Sequence, residues 1–296
     1  MTDIELVVHT NDVLGEVPIW CPREQALYWM DGFKPALHRL DGATGAVRSW
    51  TPPEKLGSFA LREQGGFVIA ARKQFVLFST DDGGYQPIGN PEPDGPDNFL
   101  NDGRCDRQGR FWAGSLSRMI DAPTGRLHRL DADHSIHTMD QDIWVSNGVA
   151  FSADGRTMYF SDSHIKQIYC YELDRATGGL SNKRVFADAS ERVGIPDGAT
   201  VDAEGMLWHA EFDFQMTRDS SYVVRRDPNG RIERAIEVPV SRPTSCMFGG
   251  ENLDILYVTT ASFRMTEAQR AAQPYAGGVL ALDVGVKGLP EPRFAG

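Results

Sequence analysis

The stretch "LNDGRCDRQGRFWAG" (100–114) sets a polar Asn-Asp-Gly step ahead of a short segment, a D-x-x-G turn and an aromatic run. Asp106 and Gly109 are turn formers, and Phe111 and Trp112 have the bulk and β propensity of a buried strand. The unit therefore predicts two short antiparallel strands joined by a tight turn. The chain repeats it.

Related segments are "LYWMD" (27–31), "GFVIAA" (66–71), "TMYFSD" (157–162), "GMLWHA" (205–210) and "ILYVTT" (255–260), so with "GRFWAG" (109–114) the pattern recurs every 40 to 50 residues or so. Turns of the same kind precede several of them, as in "FSADGRTMYF" and "VDAEGMLWHA". Strands such as "GRLHRLDAD" and "QIYCYELDRATGG" follow. Repeats of roughly this length, built only from short strands and Gly/Asp turns, predict propeller blades. The fold expected is all-β, a six-bladed β-propeller with a central metal site, with residues 1–296 forming one domain. A two-sheet sandwich fits the even spacing less well.

Continuous apolar runs such as "FVIAA" suit blades covered on both faces, where strict alternation weakens. "IELVVH" (4–9) has no blade of its own and is expected to supply the outer strand of the last blade, beside "GGVLALDV" (277–284). Helix is scarce: "TEAQRAAQ" (266–273), with Thr266 as N-cap, is the one good candidate.

Composition excludes several classes. A formal net charge of -11 on 296 residues disfavours nucleic acid or an anionic membrane surface as partner. The four cysteines, at 21, 105, 170 and 246, form no CxxC pair and read as reduced thiols. With no basic leader and no apolar run of about 18 residues, the expected address is cytoplasmic. Nothing in the sequence sets an oligomeric state.

The period also locates a site. Some ten or eleven residues before the aromatic segments stand Glu16, Asn101, Asn147 and Asp197, with Ser58 and Thr244 or Ser245 in the other two repeats. In a propeller the first strand of each blade lines the channel, so these side chains converge at one mouth. Two carboxylates and two carboxamides facing one another call for a divalent cation. Glu16, Asn147 and Asp197 read as its ligands, and all-oxygen donors favour calcium, magnesium or manganese while admitting zinc or ferrous iron. The competing reading of "SNG", "NDG" and "PDG" is that they are turn residues only.

The stretches "LGEVPIW", "LNDGRCDRQGRFWAG", "SNGVAFSADGRTMYFSDS", "IPDGATVDAEGMLW" and "TSCMFGGENLDILYVTTA" resemble the gluconolactonase/regucalcin (senescence marker protein) family of six-bladed propellers, in order and spacing, from about Leu14 to Val279. The resemblance implies one divalent metal on Glu16, Asn147 and Asp197, and a small-molecule sugar lactone as substrate. It also implies a substrate-contacting pair, Asn101 and Asp102. Two positions depart from the family pattern: Phe99 stands where relatives often have arginine, and Arg118 lies where some have an acidic residue. Either Arg118 replaces the missing cation or the substrate packs on Phe99.

The chemistry implied is metal-dependent hydrolysis of an aldonolactone to the open-chain acid, with Asp197 as catalytic base and Asp102 as the alternative. Two other readings are hydrolysis of a different ester or organophosphate on the same scaffold, and a non-catalytic calcium-binding or scaffold propeller. "SDSH" (161–164) is not expected to be a triad, although Asp162 and Ser163 can border the pocket, and His209 reads as a core residue. Glu211, Phe212 and Arg218, around the longer loop of the fifth repeat, are weaker pocket candidates.

Overall fold

The computed structural model describes residues 3–296, which form six four-stranded antiparallel sheets. Blade 1 is Gly15–Cys21, Ala26–Asp31, Ala36–Asp41 and Val47–Trp50; blade 2 is Leu56–Leu61, Phe67–Ala71, Phe75–Phe78 and Tyr85–Gly89. Blade 3 is Asn98–Cys105, Phe111–Ser117, Gly125–Leu130 and Ile136–Ile143; blade 4 is Ser146–Phe151, Thr157–Asp162, Gln167–Leu173 and Leu180–Asp188. Blade 5 is Ile195–Val201, Leu207–Phe212, Ser221–Arg226 and Ile232–Val238. Blade 6 takes Pro243–Gly249, Ile255–Thr260 and Gly278–Asp283 from one end of the chain and Ile4–His9 from the other, Leu6 pairing with Leu280.

The core is six interfaces between neighbouring blades. Along the second strand of blade 1, Tyr28 and Met30 pack toward blade 2 with Phe59 and Phe67, whereas Leu27 and Trp29 pack toward blade 6 with Tyr257 and Val279. Both faces are buried, which is why these strands read as continuous apolar runs.

The D-x-x-G turn explains why an aromatic follows it. Asp202 accepts from the backbone N–H groups of Glu204 and Met206 with one oxygen, and from Trp208 Nε1 (2.8 Å) and Arg225 Nε (2.8 Å) with the other. Asp106 does the same with Gln108, Arg110 and Trp112. One carboxylate thus closes the turn and fixes the next strand's indole. The single helix among the described residues, Glu267–Ala272, starts with a capping box between Thr266 and Gln269.

After blade 6 the chain crosses the face opposite the first-strand starts. Gly288 N–H donates to Leu253 O, Phe294 N–H to Leu61 O and Ala295 N–H to Gly109 O, while Glu291 meets Arg104 in the channel at 3.2 Å. Phe294 is fully buried against Phe75, Phe111 and Leu130. Phe294→Ala is expected to destabilise the protein by about 3–5 kcal/mol through the cavity it leaves. Urea unfolding checks this: the midpoint should fall with the m-value unchanged, and an unmoved midpoint would show that the crossing segment adds nothing.

Candidate metal centre

All six first strands break register with their partners near the same height. The shifts fall between Glu16 and Ile19, Leu56 and Ser58, Leu100 and Gly103, Asn147 and Ala150, Pro196 and Ala199, and Pro243 and Ser245. A bulge re-aims side chains, and here one falls beside the polar residue of each blade. The local backbone is unusual to match: Val17, next to Glu16, has φ +51°, which a β-branched residue rarely adopts, and Gly148 takes φ +61° after Asn147.

The ring divides by chemistry. Ser58 Oγ donates to Asn101 O (2.7 Å) and Thr244 Oγ1 to Gly15 O (2.5 Å), so the hydroxyl positions join neighbouring blades. Glu16, Asn101, Asn147 and Asp197 face the centre. Asn101 Nδ2 donates to Asn147 Oδ1 (2.9 Å) and Ser146 O (2.8 Å), while Asn147 Nδ2 donates to Ser163 Oγ (2.9 Å), which itself donates to Pro196 O (2.6 Å). Ser163 therefore fixes the Asn147 carboxamide with its oxygen toward Asn101.

Three carboxylates share this space. Burial, then the charges of Asp197 and Asp102, push the Glu16 carboxyl well above its usual range, and burial with the Asp102 charge does the same to Asp197. Burial raises Asp102 too, held back by Arg104 and by backbone donors. Asp102 is the most committed of the three: Oδ1 accepts Gly103 N–H (2.9 Å) and Oδ2 Val149 N–H (3.2 Å). Among the described residues no three carboxylate, imidazole or thiolate side chains converge to metal-binding distance. A cation here would need the carboxamide of Asn147 beside the two carboxylates of Glu16 and Asp197.

Next to the ring lies a cavity of about 690 Å³ that Asn101 lines, whereas Glu16, Asp102, Asn147 and Asp197 are not among its lining residues. Phe99 and Arg118 both line it. The Arg72 guanidinium lies 4.4 Å from the Phe99 ring centre, whereas Arg118, itself 56% exposed, pairs with Asp97 at 3.3 Å. The cation nearest Phe99 thus comes from blade 2. In blade 5, Glu211 is clasped by Arg192 (2.8 Å) and Phe212 is buried, while Phe214 reaches the cavity; Arg218 is not among its lining residues. Asp162 accepts the N–H groups of Trp144 and Val145, anchoring the approach to Asn147. His209 is fully buried, accepts from Arg226 Nε (3.0 Å) and is pushed down to about 3 by burial and that charge, a neutral core residue.

Sequence reading missed Phe33, Arg72, Phe214, Phe263 and Arg264 in the mouth. The signal was present. Gly15 pairs with Asp31 and Pro243 with Thr260, so the end of each second strand lies level with the start of the first. The residues just after "LYWMD", "GFVIAA", "LWHAEF" and "ILYVTT" must then stand at the same mouth as Glu16.

Comparison with known proteins agrees with this architecture. Residues 14–262 match the SMP-30/Gluconolactonase/LRE-like region. The chain is 40% identical over 295 residues to a 6-deoxy-6-sulfogluconolactonase of Pseudomonas putida, covering 99% of each chain. It is 34% identical over 300 residues to regucalcin of Xenopus laevis, covering 99% of this chain and 98% of the other. The crystal structure of a calcium-binding protein, regucalcin, from Agrobacterium tumefaciens superposes with a TM-score of 0.92 at 28% identity, covering 99% and 97% of the two chains. The chain belongs to the SMP-30/gluconolactonase/LRE-like family of sugar lactonases.

Proposed function

We propose that the protein opens a sugar lactone to its aldonic acid at a divalent-cation centre held by Glu16, Asn147 and Asp197. The observation that carries this is the crowding of three carboxyls, Glu16 half-buried and Asp197 and Asp102 buried, each pushed toward protonation, with Arg104 as the cation acting on Asp102. Such a cluster is costly without a counter-charge, and an all-oxygen donor set suits calcium, manganese, zinc or ferrous iron. A bound divalent cation supplies carbonyl polarisation and a more acidic water.

The chain's own groups do the rest. Asp197, whose carboxylate draws on Gly198 N–H alone, is freer than Asp102 to take the proton of the attacking water. Asn101, which lines the cavity and spends its Nδ2 hydrogens on Asn147 and Ser146, offers its carboxamide oxygen to the substrate. Asp102, buried and not among the cavity's lining residues, adds negative charge beside the centre and serves the substrate through it, and Phe99 and Arg118 contact the substrate from the cavity wall. The six sheets share one channel, which supports reading 1–296 as one domain. The four cysteines are free and buried, in keeping with a cytoplasmic address, and no helix among the described residues is long and apolar enough to cross a membrane.

Acid release from five- and six-carbon aldonolactones tests the reading, using metal-stripped protein resupplied separately with calcium, manganese, zinc and ferrous iron. Restored turnover is the expected result; metal binding with no turnover would move the function to binding alone. Ser163 gives a finer test, since it aims the Asn147 oxygen. Ser163→Ala should weaken metal affinity by about 10–100-fold, measured by calorimetry, and an unchanged affinity would remove Asn147 from the ligand set.

A further inference from the structure

The cavity next to the ring holds no acidic side chain in its lining, yet four cations face it. Arg118 is paired with Asp97. The other three, Lys55, Arg72 and Arg264, are exposed and have no carboxylate within ion-pair distance among the described residues. Each lies instead on an aromatic ring: Lys55 Nζ is 4.7 Å from the centre of Phe33, Arg72 4.4 Å from Phe99 and Arg264 4.9 Å from Phe263. Phe33 and Phe263 stack on one another at 4.7 Å, so a cation, two rings and a second cation form one continuous stack across blades 1, 2 and 6. Behind it the buried Arg242 donates to Phe214 O (2.9 Å) and Phe263 O, tying the two aromatic loops together.

This arrangement positions charge. A ring beneath each guanidinium fixes its plane and leaves N–H edges free, and a planar fork matches the oxygens of carboxylate, phosphate or sulfonate. On a chain with a formal net charge of -11, a mouth whose charged lining residues are all positive also draws anions toward it. The cavity reaches down to Asn101, which bonds Asn147, so a lactone seated at the centre has its far end among these cations.

We infer that the substrate is a lactone bearing an anionic group on the carbon remote from its carbonyl, and that Arg72, Arg264 and Lys55 read this group. The inference rests on the lactonase reading. Sulfonate, phosphate and carboxylate share the chemistry recognised, and the test separates them.

A six-carbon aldonolactone is compared with its terminal sulfonate, phosphate and carboxylate derivatives, in wild type, in the double variant Arg72→Gln/Arg264→Gln, and in Arg48→Gln on an outer strand as control. Charged hydrogen bonds of this kind correspond to about 10–100-fold in kcat/KM for one anionic lactone over the neutral one. That ratio should collapse in the double variant and persist in the control. It should also fall with added salt, since the cations are exposed. Hydrolysis of the neutral lactone with no anionic preference would overturn the inference and leave the lactonase reading standing. A preference untouched by the double variant would overturn the residue assignment. No hydrolysis of any member with any of the four metals would overturn both.

Discussion

Asp197→Ala is expected to lower kcat/KM for lactone opening by about a thousandfold or more, because the proposed mechanism makes one side chain both a ligand and the proton acceptor. General-base catalysis alone corresponds to about 10²–10⁴-fold, and loss of an anionic ligand adds to that. The fold should survive. Removing one of three mutually repelling carboxylates relieves the metal-free chain, so circular dichroism should keep its β spectrum and the apo melting temperature should not fall. Asp102→Asn separates the roles: it should retain metal binding and more activity than Asp197→Ala. If Asp102→Asn were the more damaging of the two in rate with metal still bound, the base would be Asp102.

Metal should stabilise the protein more at pH 8 than at pH 5. The Glu16, Asp197 and Asp102 carboxyls are all raised in the folded chain, so over the window above the ordinary carboxylate range, near 4, the native state holds more protons than the unfolded one. Stability of the metal-free form from these groups therefore falls as pH rises through the window. A cation must displace those protons at low pH and meets ready carboxylates at high pH. His209 works the other way: pushed down to about 3, it favours the native state above about 6.5 and costs stability as pH falls below that. It does so with or without metal, so the difference between the two forms isolates the centre. At a metal concentration about 100 times Kd, stabilisation of about 2.7 kcal/mol is expected. Differential scanning fluorimetry at both pH values, with and without metal, gives the comparison, and equal metal-induced shifts would detach the three carboxylates from the centre.

The repeat was legible because each blade uses the same local solution. An Asp-Gly turn, an indole or phenyl ring two or three residues on, and burial on both faces leave their mark within a dozen residues, as at Asp202–Trp208. The ring positions were legible for a related reason, since a polar residue at a fixed offset from a buried strand stands out in every blade. The bulges beside Glu16 and Asn147 were not, because Val17 at φ +51° carries no turn signature. Nor was the role of Ser163, expected only to border the pocket, since its hydroxyl acts through two partners, at 147 and 196, brought together by blades 4 and 5. The mouth was hardest of all. Phe33 and Lys55 are far in the chain from the adjacent pair Phe263 and Arg264, and their stack exists only once the first and last blades close the ring.

The central claim is that Glu16, Asn147 and Asp197 hold one divalent cation. A crystal grown with manganese and measured for anomalous scattering tests it most directly. The expected result is a single strong peak on the channel axis, about 2.0–2.6 Å from oxygens of all three side chains. A peak held by other residues, or no peak at a concentration that supports turnover, would contradict it.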